Sequence, residues 1–173
     1  MKLAARLSLA LLLLFPVCVS ANGPLEAGDD DYARGGDALE AGKLDEAAKF
    51  FQRAAKQDHP LAAYQLGVMY ENGEGMPQDF AAAARWYHVS AKRHWGYAPT
   101  RLGLLYLWGS GVAQNDVEAC VWLTIALQTT PNLVFLDGVK ELVARLTPAQ
   151  NQACEQRLAQ LQREFEESGR AAY

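Results

Sequence analysis

The stretch LGVMYENGEG at residues 66–75 returns as LGLLYLWGSG at residues 102–111, thirty-six positions later and without an insertion. Identical residues continue at this spacing on both sides of the stretch, and the repeated positions are Ala62 with Ala98, Leu66 with Leu102, Gly67 with Gly103, Tyr70 with Tyr106, Gly73 with Gly109, Gly75 with Gly111, Ala83 with Ala119, and Trp86 with Trp122. The same shift towards the N-terminus aligns Ala47 with Ala83 and Phe51 with Tyr87. A fixed period of this length predicts three stacked supersecondary units.

Each unit is predicted to contain two helices. The first helix, at about 60–72, begins at Pro60, where a missing N–H is tolerated, and the glycine pairs at 73/75 and 109/111 end it and its copy. The second helix begins after an N-cap residue, Asp79 or Asn115, and Asn115 has the capping-box spacing to Glu118. No strand pattern interrupts the series, so the sequence predicts an all-α fold.

Two glycines occupy the middle of predicted helices. Gly67 and Gly103 each cost about 1 kcal/mol relative to Ala at such a position. We therefore expect an aromatic ring to lie against the backbone there, with Trp86 and Trp122 as the candidates.

The C-terminal part predicts two further helices that close the stack. A stripe formed by Leu136, Val139, Val143 and Leu146 precedes Thr147-Pro148-Ala149-Gln150, which has the form of a capping box with Pro at the first helical position. The last helix carries an apolar stripe, which consists of Cys154, Leu158, Leu161 and Phe165. Such a helix pair suits a cap over the open end of a stack.

These units resemble the Sel-one-like repeats (SLR) of the tetratricopeptide superfamily. The second unit fills the family pattern with Ala62, Tyr64, Leu66, Gly67, Tyr70, Gly73, Gly75, Met76, Asp79, Ala83, Trp86, Tyr87 and Ala91, whereas the third unit departs from it at Thr100, Asn115 and Leu123. The first unit lacks the G-x-G loop and resembles an ordinary tetratricopeptide hairpin. The resemblance implies a right-handed α-solenoid of stacked helical hairpins, with repeats at about 30–59, 60–95 and 96–128.

The N-terminus has the pattern of an export signal. Lys2 and Arg6 precede an apolar run that ends near Ala21, which predicts a signal peptide at 1–21. We expect a flexible mature N-terminus at 22–29, the repeats at 30–128, capping helices at 129–169 and a tail at 170–173. A periplasmic or secreted location follows, and lipid anchoring at Cys18 is disfavoured because Val17 stands where a lipid-anchoring signal has a small residue.

Charge and cysteine content narrow the class of partner. Without Lys2 and Arg6, 14 basic residues face 20 acidic ones, a formal charge of −6 that argues against nucleic acid. Cys120 and Cys154 remain after signal removal, and either a disulfide or two buried thiols fits their apolar helical surroundings.

The first helix of every hairpin is expected to line the concave face of the solenoid. Several residues beside its packing stripe are large and apolar, which favours a contact surface for a protein or peptide, although burial between repeats is the alternative at any single position. The candidate binding residues are Tyr32, Tyr64, Val68, Glu71, Tyr97, Thr100, Leu104, Leu107 and Trp108. Lys92, Arg93, His94 and Arg101 add a small basic cluster that either receives an acidic segment or is a solvated helix end.

The sequence carries no motif that predicts catalysis, a metal site or a cofactor. His59, His88 and His94 lack the spacing of a zinc-binding pair, and Ser110 lacks the surroundings of a nucleophile elbow. We therefore expect a non-catalytic exported adaptor that binds a protein through its concave face. The alternatives are a cell-envelope enzyme or peptidoglycan-fragment binder, as implied by cysteine-rich relatives with β-lactamase-like activity, and a protein that regulates a membrane sensor by docking to it.

Overall fold

The computed structural model describes residues 28–92, 97–129 and 133–167. Within these ranges the chain forms eight helices and no strand, which confirms the all-α expectation. The helices are α1 (Asp29–Glu40), α2 (Leu44–Lys56), α3 (Pro60–Asn72), α4 (Phe80–Ala91), α5 (Ala98–Trp108), α6 (Asp116–Thr129), α7 (Leu133–Arg145) and α8 (Pro148–Glu167). The predicted signal peptide, the segment at 22–27, Arg93, His94 and the tail lie outside the described residues.

The helices pair as three hairpins, α1 with α2, α3 with α4, and α5 with α6. Successive hairpins stack through α2 on α3 and α4 on α5, and both α7 and α8 pack on α6. This is the predicted solenoid with its C-terminal cap. The first core lies among α1, α2 and α3, and the second core extends from α4 to α8.

Side-chain caps start most of the later helices. The Asp79 carboxylate accepts a hydrogen bond from the Ala82 N–H at 2.9 Å, and the Asn115 side chain accepts from the Glu118 N–H at 3.1 Å. The capping-box spacing of Asn115 and Glu118 is not used reciprocally, because the Asn115 N–H donates to the Tyr106 carbonyl at 3.0 Å and the Glu118 carboxylate accepts from the Trp122 indole at 3.2 Å. The box at the start of α8 is complete, since the Gln150 side chain accepts from the Thr147 N–H at 2.9 Å and the Thr147 hydroxyl accepts from the Gln150 N–H at 3.3 Å.

The mid-helix glycines do allow close packing, but not of the tryptophans. A Cβ added to Gly67 would lie 2.4 Å from Cε1 of Tyr87, and one added to Gly103 would lie 2.7 Å from Cγ of Leu123. The expectation of Trp86 and Trp122 at these contacts is therefore wrong. The physical reason is that the residue following each tryptophan, about 100° further round the helix, faces the partner helix.

The two tryptophans pack backwards onto the preceding unit. Trp86 is half-buried against the first core, whereas Trp122 is fully buried, with its ring centroid 5.2 Å from that of His88 on α4. The second helix of each hairpin thus presents one aromatic residue to the previous hairpin.

The second glycine of each G-x-G loop sits against the preceding hairpin. A Cβ on Gly75 would lie 2.7 Å from the carbonyl carbon of Leu44, and one on Gly111 would lie 2.3 Å from that of Phe80. Leu44 and Phe80 are the first residues of α2 and α4. These loops therefore set how closely one hairpin approaches the start of the second helix in the hairpin before it.

Two of the three cysteines in the sequence form a disulfide. Cys120 on α6 and Cys154 on α8 are bonded, with 6.2 Å between their Cα atoms, and both side chains are buried. Of the two alternatives left open by the sequence, the structure has the bridge, and it joins the cap to the last repeat.

Candidate interaction surface

Helix α5 and its N-cap residue Tyr97 carry a row of exposed and half-buried side chains along one face. Tyr97, Arg101, Leu104 and Trp108 are spaced by four, three and four residues, which places them within about 60° of one another round the helix. We call these four residues the α5 stripe. The relative exposure of Tyr97 is 60% and that of Trp108 is 66%, while the Arg101 side chain is 46% exposed and Leu104 is half-buried.

The surface continues onto α3 through aromatic contacts. The Tyr64 ring centroid lies 6.4 Å from that of Tyr97 and 5.7 Å from that of Tyr87. Tyr64 and Val68 are half-buried and pack against the second core. Both residues therefore support the stack, and Tyr64 also borders the α5 stripe.

A partly buried polar contact links α5 to α3. Arg101 Nη1 lies 3.1 Å from Glu71 Oε1, and the Tyr87 hydroxyl donates to Glu71 Oε2 at 2.5 Å. Burial, followed by the bond to Glu71, raises the pKa of the Tyr87 hydroxyl far above its ordinary value. Although burial opposes the charge on Arg101, the Glu71 carboxylate and a hydrogen bond to Tyr64 raise the pKa of the guanidinium. Glu71 thus orients the charged member of the stripe.

The remaining candidate binding residues are more enclosed. The Tyr32 ring stacks on His59 with centroids 4.5 Å apart and contacts Phe51 at 5.7 Å. The contact with buried His59 matters for folding, because His59 Nδ1 also accepts a hydrogen bond from the Ala62 N–H and caps α3. Thr100 and Leu107 are half-buried, and Leu107 packs against the second core.

Arg101 belongs to the α5 stripe but is not among the candidate binding residues predicted from the sequence. The sequence groups it with Lys92, Arg93 and His94 in a basic cluster, whereas the structure places it between Tyr97 and Leu104 on the α5 stripe. The signal that could have found it is its spacing of four residues from Tyr97. Lys92 is exposed at the end of α4.

No group of three or more His, Cys, Asp or Glu side chains is arranged to hold a metal ion in the part of the chain that the structure describes. None of the described helices combines the length and apolarity needed to cross a membrane. Ser110 lies in the loop after α5, where its N–H donates to the Leu105 carbonyl at 3.0 Å.

The stacked hairpins and their exposed first-helix surface define a helical-repeat protein. The model of the Sel1 repeat family matches residues 32–59, 60–94 and 97–128, so the chain belongs to this family, and the Sel-one-like resemblance is confirmed. Sel1 repeat proteins are generally scaffolds for protein–protein interaction, and typically non-catalytic.

Two solved structures share the fold. The crystal structure of c5321, described as a protective antigen of uropathogenic Escherichia coli strains with an SLR fold, has a TM-score of 0.72 at 24% identity, covering 80% of this chain and 30% of that one. A Sel1 repeat protein from Oxalobacter formigenes has a TM-score of 0.61 at 32% identity, covering 66% of this chain and 34% of that one. This chain therefore spans about a third of the length of either protein. No curated protein matches the chain.

Proposed function

We propose that this protein is a non-catalytic, exported adaptor that binds a segment of a partner protein along the α5 stripe. The observation that carries the proposal is that Tyr97 and Trp108 are the two most exposed large hydrophobic side chains within residues 28–92, 97–129 and 138–164, and both lie on this one face. Tyrosine, tryptophan and arginine are the residues enriched in binding hot spots. The stripe combines all three with Leu104.

The dimensions of the stripe suit a short extended segment. From Tyr97 to Trp108 the helix rises about 16 Å, which an extended peptide covers in about five residues. The half-buried Tyr64 on α3 borders the stripe, so the bound segment would lie against two hairpins. Because the Glu71 contact holds Arg101 in place, the free surface is already ordered for binding.

Export is the second part of the proposal. The leader pattern at 1–21 supports it, and so does the disulfide between Cys120 and Cys154, because structural disulfides persist in oxidising compartments such as the periplasm. Mass spectrometry of the protein from the producing cell tests this point. We expect a mature N-terminus at Asn22 and no lipid, whereas an intact Met1 or a lipid on Cys18 would contradict it.

Site-specific photo-cross-linking in the native cell tests the binding surface. A photoreactive side chain replaces Trp108 in one chain and Val89, an exposed residue of α4, in the control chain. We expect one defined protein adduct from position 108 and none from position 89. Adding Leu104→Glu to the first chain should remove that adduct while helical circular dichroism is kept. Equal amounts of the same adduct from both positions, or an amount from position 108 that does not change with Leu104→Glu, would refute the α5 stripe as the binding surface.

A further inference from the structure

We infer that the protein has a second binding site, a cavity that takes a carboxylate carried on a short apolar body. The cavity has a volume of about 360 Å³ and lies between α4, α5 and the loop after α5. Its walls are formed by Ala81, Ala84, Arg85, His88, Leu102, Tyr106, Gly111 and Val112. A cavity of this size suits a small ligand or a single side chain with its terminal group.

Three polar side chains at this cavity have no polar partner among the described residues. Within residues 28–92, 97–129 and 133–167, the structure shows no hydrogen bond or ion pair to the Arg85 guanidinium, the His88 imidazole or the Tyr106 hydroxyl. His88 and Tyr106 are half-buried, and the His88 ring rests on Trp122 with centroids 5.2 Å apart. Polar groups held in this way have hydrogen-bonding capacity to offer a ligand.

The charges around the cavity favour an anion. Arg85 is a permanent cation and presents a planar fork that matches a carboxylate. The nearby Glu118 carboxylate is already occupied, because it accepts from the Trp122 indole at 3.2 Å and lies 3.4 Å from Arg157 Nε. The free groups at the cavity are therefore donors with a net positive charge.

The protonation states of the two half-buried groups fit the same ligand. Burial, and after it the charge of Lys92, lowers the pKa of His88, so the imidazole is neutral at pH 7 and can donate one N–H. Burial, and after it the Glu118 carboxylate, raises the pKa of Tyr106, so its hydroxyl keeps the proton that it would donate.

The rest of the wall is small and apolar. Ala81 and Ala84 leave space beside the α4 backbone, and Leu102 and Val112 close the other side. Thirty-six residues earlier, the positions of Arg85, His88 and Val112 are taken by Lys49, Gln52 and Met76, and Met76 packs against the first core. The combination of donors and space thus belongs to the boundary between the second and third hairpins.

The cavity is separate from the α5 stripe. Tyr106 follows Arg101 by five residues, which is about 140° round the helix, so the two sites use opposite sides of α5. An occupant of the cavity can be either a small free acid or the terminal residue of a peptide, because both present the same carboxylate on an apolar body.

Binding by the full mature chain to defined probes tests the inference. The two acid probes are 4-methylpentanoate and the N-acetylated tripeptide Ala-Ala-Leu with a free C-terminus. The control probes are the corresponding amides, in which the carboxylate is replaced by a neutral carboxamide. Calorimetry gives the affinity, and the NMR shifts of the Gly111 and Val112 amides give the location. We expect at least one acid to bind saturably and shift these amides, with each amide at least tenfold weaker. Binding of the peptide acid alone would identify a chain terminus as the source, and equal binding of 4-methylpentanoate would identify a small acid.

Two variants separate this site from the α5 stripe. Arg85→Gln should weaken acid binding at least tenfold, whereas Arg145→Gln, which changes an exposed arginine of α7, should leave it unchanged. Cross-linking from position 108 should survive Arg85→Gln, and acid binding should survive Leu104→Glu. Absence of binding by both acids, equal binding of acids and amides, or an Arg85→Gln chain that binds like the wild type would overturn the carboxylate site and leave the proposed adaptor function standing.

Discussion

Gly67 and Tyr87 form the closest contact between the two helices of the second hairpin. The Tyr87 ring is fully buried and its hydroxyl is held by Glu71, so the ring has little freedom to move away from α3. The helix therefore contains a residue of low helical propensity where only a hydrogen atom leaves room for the ring.

The first prediction is that Gly67→Ala destabilises the protein. The added methyl would lie 2.4 Å from the Tyr87 ring, and overpacking of this kind costs about 1 to 3 kcal/mol, which the better helical propensity of Ala offsets by at most about 1 kcal/mol. Urea denaturation measures the change in the free energy of unfolding. Gly36→Ala is the matched control, because a Cβ at this helical glycine of α1 meets no atom within 4 Å, and we expect it to stabilise by about 0.5 to 1 kcal/mol. Equal effects of the two substitutions would contradict the contact.

The second prediction concerns Tyr87 and pH. The pKa of Tyr87 in the folded protein is raised above the value of 10.0 that describes the unfolded chain, so its contribution to stability is complete below pH 10 and declines as the pH rises above it. We expect the urea midpoint of the wild type to fall more steeply between pH 9.5 and 11 than that of Tyr87→Phe. Parallel pH profiles of the two proteins would show that the hydroxyl is not buried as described.

The third prediction compares the two repeat tryptophans. Trp122 is fully buried, so Trp122→Ala should lower the free energy of unfolding by about 3 to 5 kcal/mol. Because Trp86 is only half-buried, Trp86→Ala should lower it by less. Denaturation of both variants by urea gives the comparison, and a greater loss at Trp86 would reverse the packing order.

At the scale of elements, much of the fold was predictable from the sequence, because each helix boundary has a local chemical signal. Pro60 begins α3, Asp79 caps α4, and Gly73 has the positive φ that ends α3. The sequence did not predict which of the two aromatic residues would face the partner helix. Trp86 and Tyr87 are adjacent and both largely apolar, and they differ in direction by only about 100° round the helix.

The candidate sites were predictable only in part. Helical spacing placed Tyr97 and Trp108 beside the packing stripe, where the structure finds them exposed. The cavity with Arg85 and Tyr106 depends on the distance between two hairpins, which the order of residues does not give. The pairing of Cys120 with Cys154 depends in the same way on where α8 lies against α6.

The fourth prediction is that the disulfide holds α8 on the last repeat. Closing a loop of 34 residues stabilises a fold by about 3 to 4 kcal/mol in the chain-entropy description. The double variant Cys120→Ala with Cys154→Ala should lose about this much in urea denaturation, and the wild type treated with reductant under denaturing conditions should match it. Thiol alkylation and mass spectrometry confirm the redox state of each sample. A wild type that contains two free thiols, or a variant of unchanged stability, would contradict the bond.

At the scale of the whole molecule, the geometry of both proposed sites depends on the distance between the second and third hairpins. The α5 stripe borders α3 across the junction of the second and third hairpins, and the cavity lies at the same junction on the other side of α5. Gly111, which lines the cavity, sets this junction because a Cβ at this position would lie 2.3 Å from the Phe80 backbone at the start of α4. A change that separates these hairpins should therefore alter both sites together.

The last prediction tests this coupling with two glycines of the same backbone conformation. Gly111 and Gly42 both have a φ of 72°, but a Cβ at Gly111 would lie 2.3 Å from the Phe80 backbone, while one at Gly42 meets no atom within 4 Å. Gly42→Ala should therefore cost only the left-handed strain of about 1 to 2 kcal/mol. Gly111→Ala should cost more in urea denaturation, and it should also shift the NMR signals of Arg101 and Leu104 on the far side of α5, because the backbone at Phe80 cannot yield unless the third hairpin moves. Equal losses at the two positions, or shifts confined to the loop at 109–112, would mean that the hairpins are not held at a fixed spacing by this glycine.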